Sequence, residues 1–109
     1  MSIKDLVIQL SLINLTPSLF SNQSFTKVLA TDSLETALQK MDLETLWITA
    51  NQDPSILSVA YFKQAAAILL SNVDLVDPIM IDTASQKKII LLSSPESTFT
   101  VCGRLYGLI

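Results

Sequence analysis

Residues 56–70 read ILSVAYFKQAAAILL, and how this run folds decides the architecture of the 109-residue chain. Twelve of its fifteen residues are apolar, the exceptions being Ser58, Lys63 and Gln64. Asp53 is a good N-cap and Pro54 suits the first helical position, while Asn72 is a tolerable C-terminal stop. These signals predict one long helix over 56–70. A surface helix shows a single apolar stripe, whereas this one is apolar on nearly every side. The small run Ala65-Ala66-Ala67 lets a neighbouring element come close. A domain of this size can hardly bury such a helix completely, so the run is expected to carry an interface.

On the N-terminal side, residues 3–14 predict a helix. Ser2 caps it with Asp5 three positions on, and Ile3, Leu6, Val7, Leu10 and Ile13 share one face. Pro17 stops the helix, and the polar stretch 18–24 reads as a loop. Residues 25–31 (FTKVLAT) read as a strand. Over 34–42 the reading stays open between a short helix, with Leu34, Ala37, Leu38 and Met41 at helical spacing, and part of a strand. Residues 44–50 (ETLWITA) read as a second strand. On the C-terminal side, 79–82, 87–93 and 99–106 read as three strands. Their spacers, 83–86 and 94–97, are short and polar, as hairpin connections should be. The expected fold is a single α/β (α+β) domain over 1–109: a helix, two strands, a long central helix and a three-stranded antiparallel meander. One sheet would carry the helices packed on it.

Composition excludes several function classes. Half of the residues are hydrophobic, 16% are charged, the net charge is −3, and there is no histidine. The seven basic residues are scattered, with Lys87-Lys88 the only adjacent pair, so a nucleic-acid footprint is not expected. Cys102 is the only cysteine and cannot form an internal disulfide, which fits a reducing intracellular setting. It is expected to be buried and structural. With no histidine, a protein-only zinc site would rest on carboxylates, so neither metal nor cofactor is expected. The longest unbroken apolar run, 65–70, is far short of a membrane span, and no signal-peptide cleavage site is evident near the N-terminus. Asn14-Leu15-Thr16 and Asn22-Gln23-Ser24 are formal glycosylation acceptors that carry no meaning without secretion.

A helix set between a two-strand and a three-strand unit resembles the roadblock/longin type of small α/β domain. The stretch Val28-Leu29-Ala30-Thr31-Asp32-Ser33 is similar to the first-strand signature of roadblock proteins. Asp77-Pro78-Ile79-Met80-Ile81 and the strands after it are similar in spacing to the closing meander. The sequence departs from that pattern at 34–42, where a tight glycine-containing turn is usual and no glycine occurs. The resemblance implies a non-enzymatic adaptor, closest to a small roadblock subunit of a Ragulator (fungal EGO-type) complex. Its partners would be another roadblock-type subunit, a larger scaffold and Rag-type small GTPases, in signalling to the target-of-rapamycin kinase. Localisation would be the cytoplasmic face of a lysosome or vacuole through partner subunits. On this resemblance the partner-binding residues are Ile56, Val59, Ala60, Lys63, Ala66, Ala67 and Leu70 on the helix, with Ile79, Met80 and Ile81 as the pairing edge. The alternative it allows is a prokaryotic homodimeric roadblock regulator of a small GTPase, with Arg104, the only arginine, as the one finger candidate.

Other chemistry-bearing residues invite plainer readings. Asp74, Asp77 and Asp82 read as caps and strand ends, because calcium loops need denser oxygen spacing and a glycine turn. Asp42 lies two residues from Glu44, again without that pattern. Ser93, Ser94 and Ser97 have no base available, so a serine nucleophile is not expected. Trp47 reads as core rather than as an exposed anchor. Lys87-Lys88 reads as a solvated strand start, Gly103 and Gly107 as a bulge or close approach in a last strand, and Leu108-Ile109 as a tail packed on the first helix.

Overall fold

The run 56–70 does not make one helix. In the computed structural model, which describes residues 1–19 and 23–109, the chain is helical only over Ser55–Lys63 and becomes a strand over Ala67–Leu70. The break lies at Gln64, which takes the left-handed conformation (φ 56°, ψ 47°). The Ala65 N–H then closes onto the Ala60 carbonyl at 3.0 Å, as at a left-handed helix terminus. A short continuous apolar run suits a fully buried strand as well as a buried helix, and periodicity cannot separate the two. The left-handed residue at 64 takes the chain out of the helix.

In chain order the elements are α1 (Ile3–Leu10), β1 (Ile13–Asn14), a 3-10 turn (Pro17–Leu19), β2 (Lys27–Ala30), α2 (Leu34–Lys40), β3 (Thr45–Thr49), α3 (Ser55–Lys63), β4 (Ala67–Leu70), α4 (Pro78–Gln86), β5 (Leu91–Ser93) and α5 (Thr98–Tyr106). They form a compact α/β domain around one five-stranded mixed sheet of order β1-β5-β4-β3-β2. Strands β2 to β5 are parallel, with Trp47 opposite Leu29 and Ile68, and only β1 runs antiparallel, along β5. The expected meander is therefore absent among the described residues.

Handedness explains the layering. Each crossover from β2 to β5 moves one place along the sheet in the same direction. Right-handed crossovers then put α2, α3 and α4 on one face. Ala37, Met41, Ile56, Leu57, Ala60, Met80 and Ala84 accordingly pack on Trp47, Ile68, Leu70 and Leu91. The other face carries α1 and α5, whose Ile3, Leu6, Leu10, Val101 and Leu105 cover Leu46, Ile48, Ala67, Leu69 and Leu92. All residues of β3, β4 and β5 are buried, as expected of parallel strands covered on both faces.

The strands expected over 25–31 and 44–50 form, and 34–42 resolves into a helix whose N-cap, Ser33, accepts from the Thr36 N–H at 3.1 Å. Ser2 caps α1 as expected, its hydroxyl accepting from the Asp5 N–H at 3.0 Å. That helix ends at Leu10, four residues early, because Ser11 turns left-handed (φ 52°) and Ile13 joins the sheet. Residues 79–82 are helical, since Asp77 caps and Pro78 opens α4. Residues 99–106 are also helical, capped by Ser97. Of 87–93 only the last three residues form a strand. Gly103 and Gly107 therefore belong to a helix and its end, and mark no bulge. The expected 18–24 loop and the Asn22 acceptor fall partly outside the described residues.

Candidate functional site

In open parallel sheets, ligands settle outside the carboxyl ends of the strands, at the point where strand order reverses and neighbouring helices part to opposite faces. Here β2 to β5 advance in one direction, so no such point opens. Their carboxyl ends are crowded with short polar residues that bond to one another. Asp32, after β2, accepts from the Thr49 hydroxyl at 2.8 Å and from the Ala50 N–H at 2.7 Å, while the Asn51 amide donates to the Asp32 carbonyl at 3.0 Å. After β4 the Asn72 N–H reaches the Glu96 carbonyl at 2.7 Å, with Asn72 itself left-handed (φ 56°). Ser71 and Thr98 share a hydroxyl–hydroxyl bond. Arg104 holds Glu96 at 2.7 Å and the Gln9 carbonyl at 3.4 Å. This crest is acidic and largely self-satisfied, so it makes a poor seat for an anion.

Two concavities lie elsewhere. The larger, about 670 Å³, is an apolar groove where α5 stops short of the sheet edge. Val28, Ala30 and Ile48 line it together with Phe25, Leu105 and Tyr106. The smaller, about 490 Å³, lies at the opposite end of the strands from the acidic crest, between the end of α3 and the end of α4. Tyr61, Phe62, Gln64, Lys87 and Lys88 line it. The Lys87 ammonium sits 5.1 Å from the centre of the Tyr61 ring, within cation–π range. Lys88 follows in a left-handed conformation (φ 59°). Lys87-Lys88 thus ends a helix and does not begin a strand.

The ten residues expected to form a partner face do not share one. Ile56, Val59 and Ala60 lie on α3 and Ala66, Ala67 and Leu70 on or beside β4, all six buried in the chain's own core. Lys63 is partly exposed at the end of α3. Met80 is buried, Ile81 partly buried and Ile79 exposed on α4, which is no strand edge. Trp47 is core, fully buried, with its indole N–H on the Thr31 carbonyl at 2.9 Å. Cys102 is only partly buried, lines the apolar groove, and has its thiol pushed up by burial. Ile109 also lines that groove and stays exposed. Asp77 is a helix cap, and no group of three or more potential metal-ligating Cys, Asp or Glu side chains occurs among the described residues. Arg104 is committed to Glu96, which argues against a finger role. Sequence reasoning missed the Tyr61–Lys87 pairing because α3 was read as running on past Lys63 and Lys87, which ends α4, was read as the start of a strand.

No family model matches the sequence, and no curated protein matches it either. A solved structure does match in fold. It is the regulatory region of a Clostridium perfringens pyrophosphatase, described as its CBS and DRTGG domains complexed with the activator diadenosine tetraphosphate. The TM-score is 0.72 at 13% identity, over 95% of this chain and 45% of that one. This chain therefore spans less than half the length of its structural neighbour, and the likeness is one of fold. It overturns the roadblock/longin reading, as does the parallel sheet. The Ragulator-type adaptor, the Rag-type GTPases, the lysosomal or vacuolar placement and the homodimeric roadblock alternative lose their support with it. No described helix is long and apolar enough to cross a membrane.

Proposed function

We propose that this chain is a non-catalytic regulatory module that binds an aromatic phosphate of the adenine-nucleotide class in the Tyr61–Lys87 cleft. The observation that carries this reading is the cleft itself, where the Lys87 ammonium lies over the exposed Tyr61 ring and Lys88 and Phe62 complete the lining. That pairing serves a planar base and its phosphates together. Stacking a base on an aromatic ring is worth about 1–3 kcal/mol, and the two lysines supply the charge that the acidic crest lacks. Support also comes from the structural neighbour, a regulatory region that holds a dinucleotide polyphosphate. The non-catalytic part of the reading is supported by the absence of histidine and by a lone thiol whose burial disfavours the thiolate.

Isothermal titration with diadenosine tetraphosphate, ATP and adenosine tests it. Saturable binding of the two phosphate-bearing compounds is expected, weakened by salt, much weaker for adenosine, and lost in Lys87→Ala/Lys88→Ala. No saturable binding up to about 1 mM, equivalent to roughly −4 kcal/mol, would overturn the reading. Binding indifferent to both lysines would do so equally.

A further inference from the structure

The second surface is the outer edge of β2 with the apolar groove beside it. We propose that this edge pairs with its own copy, antiparallel about a two-fold axis at Leu29, and joins two five-stranded sheets into one of ten. Strand β2 is the last strand of the sheet, and among the described residues nothing pairs with its outer side. The Thr31 N–H, continuing the register of β2 on β3, donates to the Ile48 carbonyl at 3.1 Å, toward β3. Along a parallel strand, alternate residues turn both backbone groups to the same side. Lys27, Leu29 and Thr31 therefore face β3, and Val28 and Ala30 turn their N–H and C=O outward.

That arrangement is self-complementary. A two-fold axis perpendicular to the sheet keeps each face on its own side, so opposed residues must share a face. Leu29 against the copy's Leu29 meets this condition as the non-hydrogen-bonded pair on the axis, and Val28 and the copy's Ala30 exchange both N–H···O bonds. Val28 then lies opposite the copy's Ala30 on the groove face, and the two grooves run side by side.

Charge selects the occupant. A lysine on an edge strand ordinarily blocks pairing. Here the Lys27 ammonium is drawn back over the other face of the sheet, 2.7 Å from Asp42 and 2.9 Å from the Lys40 carbonyl. The groove is lined by no acidic or basic side chain. Two copies, each of net charge −3, can therefore meet here without opposing like charges. Specific interfaces bury on the order of 1,200–2,000 Å² in all, more than a short strand pair supplies. Tyr106 and Ile109, 83% and 65% exposed at the groove rim, extend the contact. The opposite sheet edge, β1, is only two residues long and offers no comparable template.

Light scattering on the full chain at about 100 µM, well above the micromolar range of weak interfaces, together with amide exchange, tests this. The expected mass is twice the 11.9 kDa of the chain. The Val28 and Ala30 amides should gain protection as concentration rises, and Ala30→Glu should restore the monomer mass. Ala30 is exposed, so that variant should keep its melting temperature. Should it fail to fold, Val28→Pro removes an outward N–H and should likewise give a monomer. A monomeric wild type overturns the proposal, including one whose groove instead takes up an added apolar peptide. A dimer that survives Ala30→Glu with an unprotected Val28 amide overturns it too.

Discussion

Gln64→Gly separates the two readings of residues 56–70 by the sign of its effect. Inside a continuous helix, glycine in place of glutamine costs about 1 kcal/mol. In the structure Gln64 is the left-handed residue that ends α3, at φ 56° and ψ 47°. A side chain there carries a penalty of about 1–2 kcal/mol that glycine does not. Glycine also loosens the unfolded chain, which returns about 0.4–1 kcal/mol. The difference is a stabilisation of roughly 0.5–1 kcal/mol, or about 2–6 °C in melting temperature for a domain of this size. Urea denaturation followed by the fluorescence of Trp47, the only tryptophan and fully buried, reads it directly. Gln64→Ala is the control and should not stabilise. A Gln64→Gly variant less stable than wild type would refute the break and restore the long helix.

Three other outcomes follow from particular contacts. Asp32→Ala removes the acceptor of the Thr49 hydroxyl and the Ala50 N–H and should cost about 2 kcal/mol in urea melts, discounted for exposure, with Asp32→Asn recovering part of it. A loss below about 0.5 kcal/mol would show that the crest does not depend on this side chain. Asp42 is held below the ordinary carboxylate value of 3.8 by its hydrogen bond and charge pairing with Lys27. Its contribution to stability is therefore present above pH 3.8 and fades as pH falls below it. Carboxyl NMR titration should show this, and Lys27→Met should bring Asp42 back up. Cys102, raised by burial, should react with a disulfide reagent at pH 7.5 several-fold more slowly than glutathione. A rate equal to or above that of glutathione would contradict the groove environment.

Local signals were legible where a cap or a turn carried them. Ser2 and the strands on either side of 34–42 form as their residues predict, whereas the cap of α2 is Ser33 and not Asp32, the residue that its spacing to Glu35 suggests. The Asp-Pro pair at 53–54 opened a helix correctly, and the same pair at 77–78 opens α4. Read consistently, it would have turned 79–82 from a strand into a helix. Ser97 with Thr100 offered a comparable cap for α5, but the β-rich composition of 98–101 outweighed it. The sign of the parallel sheet lay in three short apolar segments, 46–48, 67–70 and 89–92, each followed by polar residues and a helix. What the sequence could not show is the left-handed turn at Gln64. Among the described residues five that are not glycine take positive φ, Ser11, Glu44, Gln64, Asn72 and Lys88, and neither glycine does. Left-handed caps were invisible where glycine would have marked them. The Tyr61–Lys87 cleft was hidden for the same reason, since it is built at the ends of α3 and α4.

The high apolar content also acquires a different cause. In sequence it argued for a helix too greasy to bury and hence for a helix-face interface. The sheet is covered on both sides, so the chain fills two cores from 109 residues, and its strands need apolar residues on both faces. Ile56, Val59, Ala60, Ala66, Ala67 and Leu70 are used up inside those cores. Part of the apolar surface that remains lies where two helices on one face cannot span five strands. Strand β2 keeps α2 over Leu29, but on the other side Val28 is only partly covered and Ala30 is exposed. A shortage of helices on that face thus accounts for the groove, and a partner that completes the layer must be apolar, extended and uncharged, as β2 itself is outside Lys27.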